Sequence, residues 1–68
     1  MKFNSEKLTK LRWSKMMKQN ELASSMGVFP AVISGWENGR HAPSSEMLMR
    51  LSAALDVDPA YFFDDCNS

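Results

Sequence analysis

Residues 19–40, which read QNELASSMGVFPAVISGWENGR, decide the fold of this 68-residue chain. Apolar residues recur at helical spacing in both halves of the stretch, which predicts two short amphipathic helices over residues 19–26 and 30–38. Gly27 stands between them, and glycine adopts without strain the positive φ that ends one helix and turns the chain towards the next. Ala23 is small enough for the second helix to cross close by. The apolar positions of the two inner faces are Leu22, Ala23, Met26, Ile33 and Trp36.

This spacing resembles that of the lambda-repressor-like helix-turn-helix family of bacterial and phage regulators, also called the xenobiotic-response-element family. The resemblance runs from about Leu8 to Phe63. It implies a compact all-α domain of five helices, in which the helix-turn-helix of helices 2 and 3 spans about residues 19–39 and enters the major groove of DNA. The matching positions are Gln19, Leu22, Ala23, Gly27, Val28, Ile33, Ser34, Trp36, Glu37 and Gly39, with further agreement at Leu8, Leu11, Arg12, Pro43, Ser44, Leu48, Leu51, Leu55 and Val57.

Length and composition independently predict one domain over residues 1–68, able to bury no more than about 60% of its unfolded surface. The single cysteine, Cys66, excludes an internal disulfide and stands too near the C-terminus for a catalytic thiol, which favours the reducing cytoplasm. No apolar run approaches the roughly 18 residues needed to cross a membrane. The N-terminus, MKFNSEKLTK, lacks the apolar segment of a signal peptide. We therefore expect a cytoplasmic protein without a membrane segment.

The net charge of zero is divided unevenly along the chain. Residues 1–40 carry seven Lys or Arg and three acidic residues, whereas residues 41–68 carry one Arg and five acidic residues. One interpretation is that the basic half faces phosphate and the acidic half faces away. The other is that the lysines form an ordinary solvated helix face. The lysines concerned are Lys2, Lys7, Lys10, Lys15 and Lys18.

The flanking segments predict three further helices and no strands. Asn4 is placed to cap the first, with Phe3 and Leu8 as a hydrophobic staple, and that helix should end near Met16. Ser44 after Pro43 should cap a helix that runs to about Leu55, with Glu46 in its first turn. Asp58-Pro59 should open a last short helix through Phe63, followed by a frayed tail over residues 64–68.

Two residues depart from the pattern of the resembled family. Where this chain has Met16 the family commonly has Gly, and where it has Lys18 the family commonly has Ser or Thr. The loss of that cap would cost the second helix on the order of 1 kcal/mol.

Most of the apolar positions have a structural interpretation only. We expect Leu22, Ile33, Trp36, Leu48, Leu51 and Phe62 to form the core. In the resembled family the positions of Arg12 and Glu37 hold a buried or half-buried ion pair that ties the first helix to the end of the third. The removal of either partner would leave the other charge buried without its partner.

The resemblance also implies which residues contact the DNA backbone. The family uses the residue at Gln19 to donate to a phosphate while it braces the recognition helix, and backbone N–H groups of the helix end assist. The surrounding residues are Lys18, Asn38 and Arg40, for which the alternative is an exposed turn without a ligand. His41 is interpreted as a plain loop residue, because a lone histidine without a second metal ligand argues against a metal site.

In the resembled family the positions that read bases map onto the outer face of the third helix. Phe29, Pro30, Ala31, Ser34 and Gly35 occupy it, and none has the long amide or guanidinium used for bidentate base contact. The apolar residues suit thymine methyl groups, and Ser34 suits one hydrogen bond to a base edge. Alternatively, this surface reads little sequence or binds a protein.

Together these features predict a sequence-specific DNA-binding regulator, with a repressor that binds a palindromic operator as a homodimer as the leading hypothesis. The dimer contact is expected near residues 56–61. The alternative is a protein-interaction module, such as an antitoxin or anti-repressor. No paired carboxylates, Cys/His pair or phosphate-binding glycine loop suggests an enzyme, a metal or another cofactor.

Overall fold

The computed structural model describes residues 2–64, which form four α-helices, one 3₁₀ helix and a two-residue β-ladder. The ladder joins the beginning and the end of this part of the chain. In chain order the elements are β1 Lys2–Phe3, α1 Ser5–Ser14, α2 Gln19–Met26, α3 Pro30–Glu37, α4 Ser45–Leu55, the 3₁₀ helix Pro59–Phe62 and β2 Phe63–Asp64.

Side chains cap the helices where the sequence predicts it. The Asn4 Oδ1 accepts hydrogen bonds from the backbone N–H groups of Glu6 (2.9 Å) and Lys7 (3.3 Å) at the start of α1. The Ser44 Oγ accepts one from the Met47 N–H (3.2 Å) at the start of α4. These bonds satisfy N–H groups that have no partner within their own helix, so both predicted caps are confirmed.

Helix α1 ends at Ser14, two residues earlier than predicted. Met16 has φ +57°, a left-handed conformation that cannot continue a right-handed helix. Glycine adopts this conformation without cost, which explains in physical terms why the resembled family commonly has Gly there.

The prediction of five α-helices without strands was wrong at the C-terminal end. Residues 59–62 form a 3₁₀ helix, in which the Tyr61 N–H donates to the Asp58 carbonyl oxygen three residues earlier (2.9 Å). The chain then pairs antiparallel with β1, where Phe3 stands opposite Phe63. Asp64, expected in the frayed tail, belongs to β2, whereas residues 65–68, including Cys66, lie outside the described residues.

One apolar cluster fills the space between the helices. Leu48, which we predicted for the core, is only half-buried and packs against the cluster from its edge. Removal of each large side chain from water stabilises the fold by about 1.5–3 kcal/mol. The buried members are Leu8, Leu22, Ala23, Met26, Ile33, Trp36, Leu51, Leu55 and Phe62.

The turn between α2 and α3 has the predicted geometry. Gly27 has φ +73°, and the Val28 N–H donates to the Ala23 carbonyl oxygen (3.0 Å), which closes the last turn of α2. Ala23 is buried and Val28 packs against the core. The turn therefore fixes the start of α3 relative to α2.

Candidate nucleic-acid interface

A buried salt bridge joins α1 to the last turn of α3. The Arg12 Nε lies 2.6 Å from the Glu37 Oε2, and the Arg12 Nη2 donates to the Glu37 Oε1 at 3.1 Å. The two side chains are 6% and 5% exposed. This is the ion pair predicted from the sequence, and its two parallel N–H···O bonds give the bidentate geometry that arginine forms with carboxylates.

The same pair also fixes the beginning of α2. The Arg12 Nη1 donates to the Met17 carbonyl oxygen (2.7 Å) in the α1–α2 connection, and the Gln19 Nε2 donates to the Glu37 Oε1 (2.9 Å). The first residue of α2 is thus tied to the last residue of α3. We call Arg12, Gln19 and Glu37 the clamp.

The clamp favours the ionised form of Glu37. Burial by itself raises the pKa of Glu37, but the hydrogen bonds from Arg12 and Gln19 and the positive charge of Arg12 outweigh it. The pKa of Glu37 therefore lies below its ordinary value of 4.5. The clamp consequently contains a carboxylate and a guanidinium at neutral pH.

The residues predicted to contact phosphate lie around the clamp. Lys18 and Asn38 are the chain neighbours of Gln19 and Glu37, and both are exposed, as is Arg40 two residues further on. The structure thus brings the N-terminus of α2 and the C-terminal end of α3 to one rim. Gln19, which belongs to the clamp, is half-buried, because its amide donates to the Glu37 carboxylate.

The start of α2 keeps half of a capping box. Lys18 provides no side-chain acceptor, but its own backbone N–H donates to the Glu21 Oε1 (2.7 Å). That bond is the contribution of the third helical residue in a capping box. The Glu21 carboxylate thus accepts from the residue that precedes α2, whereas the Lys18 side chain cannot cap the N–H groups of the first turn in return.

The outer face of α3 is apolar with one hydroxyl. Phe29 is 79% exposed, Pro30 and Ala31 are exposed, and Ser34 is half-buried. The Asn38 Nδ2 donates to the Ser34 Oγ (3.2 Å), so this hydroxyl oxygen already accepts a hydrogen bond and keeps its proton to donate. These four residues form what we call the α3 face.

Gly35 is the exception among the predicted base contacts. It is buried, and a Cβ atom at this position would lie 2.8 Å from the Cδ2 of His41. The imidazole covers the glycine, so the prediction that Gly35 itself presents a surface to DNA needs correction. Sequence reasoning missed this arrangement, because the side chain that covers α3 comes from the following loop.

The lysines of α1 do not form one uniform face. The Lys7 Nζ donates to the Phe63 carbonyl oxygen (3.4 Å) and lies 5.7 Å from the centroid of the Tyr61 ring. Lys7 is thus half-buried and ties α1 to the C-terminal end, away from the clamp. Lys2, Lys10, Lys15 and Lys18 are exposed.

An exposed tryptophan beside the clamp was also missed. Trp13 lies at the end of α1, and the Arg12 guanidinium carbon lies 4.9 Å from the centroid of its indole. A cation over an aromatic face is attracted by about 0.5–1 kcal/mol at an exposed site. In the sequence, the position of Trp13 directly after Arg12 was the only feature that could have suggested this contact.

The comparison with protein families agrees with this geometry. A family model described as helix-turn-helix matches residues 8–62, which is most of the chain. The chain belongs to the lambda-repressor-like helix-turn-helix family. Family membership thus covers α1 to the 3₁₀ helix, including the clamp and the α3 face.

Solved structures of other family members are similar over nearly the whole chain. The P22 c2 repressor protein, solved in complex with synthetic operator 9T, matches with a TM-score of 0.86 and 30% identity, over 94% of this chain and 97% of that one. The restriction-modification controller protein C.AhdI from Aeromonas hydrophila matches with a TM-score of 0.82 and 30% identity, over 87% and 89%. One of these relatives is thus a repressor solved with an operator, and the other is a controller protein.

A curated phage protein is similar as well. The ImmF control region 10 kDa protein of Bacillus phage phi105 is 36% identical over 47 residues, or 69% of this chain. The match spans 52% of the length of the phage protein, about half.

Within residues 2–64 no group of three or more His, Cys, Asp or Glu side chains is arranged to hold a metal ion. In the same part of the chain, no helix has the length and apolar character required to cross a membrane.

Proposed function

We propose that this protein represses transcription by binding a palindromic operator as a homodimer, with α3 in the major groove. The observation that carries the proposal is the clamp, which ties the N-terminus of α2 and the end of α1 to the last residue of α3. The operator complex of the similar P22 c2 repressor protein supports DNA as the partner.

We assign phosphate binding to Gln19 of the clamp and to the exposed residues around it. One Gln19 N–H bond is used by Glu37, and the amide nitrogen has a second N–H for a phosphate oxygen. Lys18 and Arg40 add two exposed cations per subunit, and Asn38 adds a polar side chain. Four cationic contacts in a dimer predict that log K against log salt has a slope of only about −3 to −4.

Base recognition falls to the α3 face. Phe29, Pro30 and Ala31 offer apolar contact to thymine methyl groups, and the Ser34 hydroxyl has its proton to donate to a base acceptor. We therefore propose a half-site that is T-rich where α3 enters, with DNA shape contributing the remaining specificity.

Selection from a random duplex pool, followed by binding measurements on the selected site, tests these proposals. Replacing thymine by deoxyuridine removes only the methyl groups and should weaken binding, as should Ser34→Ala and Ala31→Gly. Ser25→Ala is the matched control, because Ser25 lies on the exposed side of α2 beside α4. If neither deoxyuridine nor the two α3 variants changes affinity, the α3 face does not read bases.

The dimer contact is proposed to include residues 56–61 and the adjoining part of α4. Tyr61 is 42% exposed, but its ring already contacts Phe62 edge-on at 5.5 Å between centroids. The exposed Met49 lines a surface groove together with Val57 and Pro59, which extends the apolar surface from this segment onto α4. An exposed apolar surface of this kind marks an association site, and a two-fold dimer uses the same surface of both subunits.

Sedimentation tests the assembly. Wild type should dimerise on its selected site with half-sites about 34 Å apart, and Met49→Lys and Tyr61→Lys should weaken the dimer. Ser24→Lys, on the exposed side of α2, controls for the added charge. A wild type that remains monomeric at high concentration with DNA present would refute the dimer.

A protein-interaction module is the second candidate. The exposed Phe29 and the neighbouring Pro30 and Ala31 favour it, since an apolar patch with little charge also suits a protein surface. A gel shift against random duplex at low salt separates the two functions. A DNA-binding protein retards the duplex, whereas an antitoxin or anti-repressor that uses this surface for a protein does not.

A further inference from the structure

The imidazole of His41 occupies the space of a missing side chain on α3. A Cβ added to Gly35 would meet the His41 Cδ2 at 2.8 Å, the Nε2 at 3.7 Å and the Cγ at 3.8 Å. Contacts below 3.0 Å do not occur for real Cβ atoms, so the ring and a side chain at residue 35 exclude each other. The glycine therefore makes room for the histidine.

The backbone after α3 brings the ring to this position. Gly39 has φ +78°, which reverses the chain, and the N–H groups of Arg40 (3.0 Å) and His41 (3.3 Å) both donate to the Gly35 carbonyl oxygen. These bonds hold the first loop residues against the last turn of α3. The His41 side chain consequently returns across the helix, with one edge of its ring against Gly35.

Helix geometry assigns the ring to the α3 face. Residues 31, 34 and 35 stand three and four positions apart and so share one side of the helix. A ring at the Cβ position of Gly35 thus lies beside Ala31 and Ser34. The Cδ2 edge faces the helix, which directs the opposite Nδ1–Cε1 edge outward, and His41 as a whole is exposed.

The ring has unused hydrogen-bonding capacity, and its surroundings suit nucleic acid. Within residues 2–64 no hydrogen bond joins the imidazole to another side chain or to the backbone. A neutral imidazole has one N–H donor and one nitrogen acceptor. Lys2 and Arg40 line the same surface groove as His41, so two cationic side chains border the groove that contains the ring.

We infer that His41 is a base-reading residue, which takes the place of a side chain at position 35 and donates its N–H to the N7 of a purine in the major groove. Guanine and adenine both present N7 as an acceptor there. This inference rests on the proposed DNA binding and adds to it a contact from outside the helix. It also assigns a role to Gly35, which is to leave space for the ring.

The test uses the site selected by wild type, with each purine replaced in turn by its 7-deaza analogue, which has C–H in place of N7. We expect one purine in each half-site whose replacement weakens wild-type binding roughly five- to tenfold, the range for loss of one hydrogen bond. His41→Ala should lower affinity by a similar factor and become insensitive to the analogue at that purine.

Gly35→Ala provides a second, independent variant. The new methyl group displaces a ring at the end of a flexible side chain, and alanine has a higher helix propensity than glycine, so the fold is retained. Its melting temperature should therefore stay at or above that of wild type while the purine sensitivity is lost. Arg40→Gln is the matched control, because loss of a phosphate contact weakens all sequences alike and leaves the purine sensitivity unchanged.

The outcomes separate the two proposals. If wild type binds no duplex, both the proposed function and this inference are refuted. If wild type binds but His41→Ala and Gly35→Ala keep its sensitivity at every purine, only this inference is overturned. A uniform loss of affinity in His41→Ala with the purine sensitivity intact would likewise overturn base contact and indicate a phosphate contact instead.

Discussion

Removal of the Glu37 carboxylate tests the clamp most directly. In Glu37→Ala the Arg12 guanidinium stays buried and loses two of its three recorded hydrogen bonds, while it keeps the one to the Met17 carbonyl oxygen. Removal of one partner from a buried pair costs about 3–5 kcal/mol. The retained bond and the cation–π contact with Trp13 lower the cost, so we expect a loss of about 3 kcal/mol.

Such a loss is large for a domain of this size. At roughly 0.05–0.15 kcal/mol per residue, 68 residues give a total stability on the order of 3–10 kcal/mol. A change of about 3 kcal/mol lowers the melting temperature by roughly 12–24 °C for a domain in this size range. Thermal and urea unfolding followed by far-ultraviolet circular dichroism at neutral pH measure the effect.

The chain contains a matched control for this prediction. Glu46 pairs with Arg50 at 2.9 Å on the surface of α4, with side chains 71% and 53% exposed. Loss of an exposed pair and of an acidic residue in the first turn amounts to at most about 1 kcal/mol for Glu46→Ala. If Glu37→Ala is no more destabilised than Glu46→Ala, the clamp does not stabilise the fold and our account of its burial is wrong.

Three further predictions concern the same part of the molecule. Because folding lowers the pKa of Glu37, its ionised form stabilises the protein above about pH 4.5, and that stability is lost as the pH falls through the folded pKa. In urea titrations Glu37→Gln should therefore lose less stability than wild type as the pH is lowered below about 4.5, and equal losses would contradict this. Met16→Gly should raise the unfolding free energy by about 1 kcal/mol, since it removes a left-handed non-glycine residue; an unchanged melting temperature would show that Met16 carries no strain. Lys18→Ser should stabilise α2 by about 1 kcal/mol, because the serine completes the capping box with Glu21. The same change should weaken DNA binding, because it removes a cation, and an equal or higher affinity in a binding titration would count against a phosphate contact at Lys18.

The sequence by itself determined the features that depend on near neighbours in the chain. The apolar spacing and Gly27 predict α2, α3 and the turn between them, and the caps at Asn4 and Ser44 predict where two helices begin. Each rests on interactions within about four residues, so local rules suffice. The pair of Arg12 and Glu37 is long-range, and it was accessible only because the family resemblance supplied the partners.

Only the tertiary structure decided the features that join distant or irregular segments. The ladder between β1 and β2 depends on the two ends of the domain meeting, and residues 59–62 have too few positions to show a helical period. The placement of His41 over Gly35 depends on the backbone of residues 39–41, where one positive φ and two hydrogen bonds set the direction of the chain. A side-chain pattern along one helix cannot reveal such a contact, because the covering residue lies outside the helix and its position is set by the path of the loop.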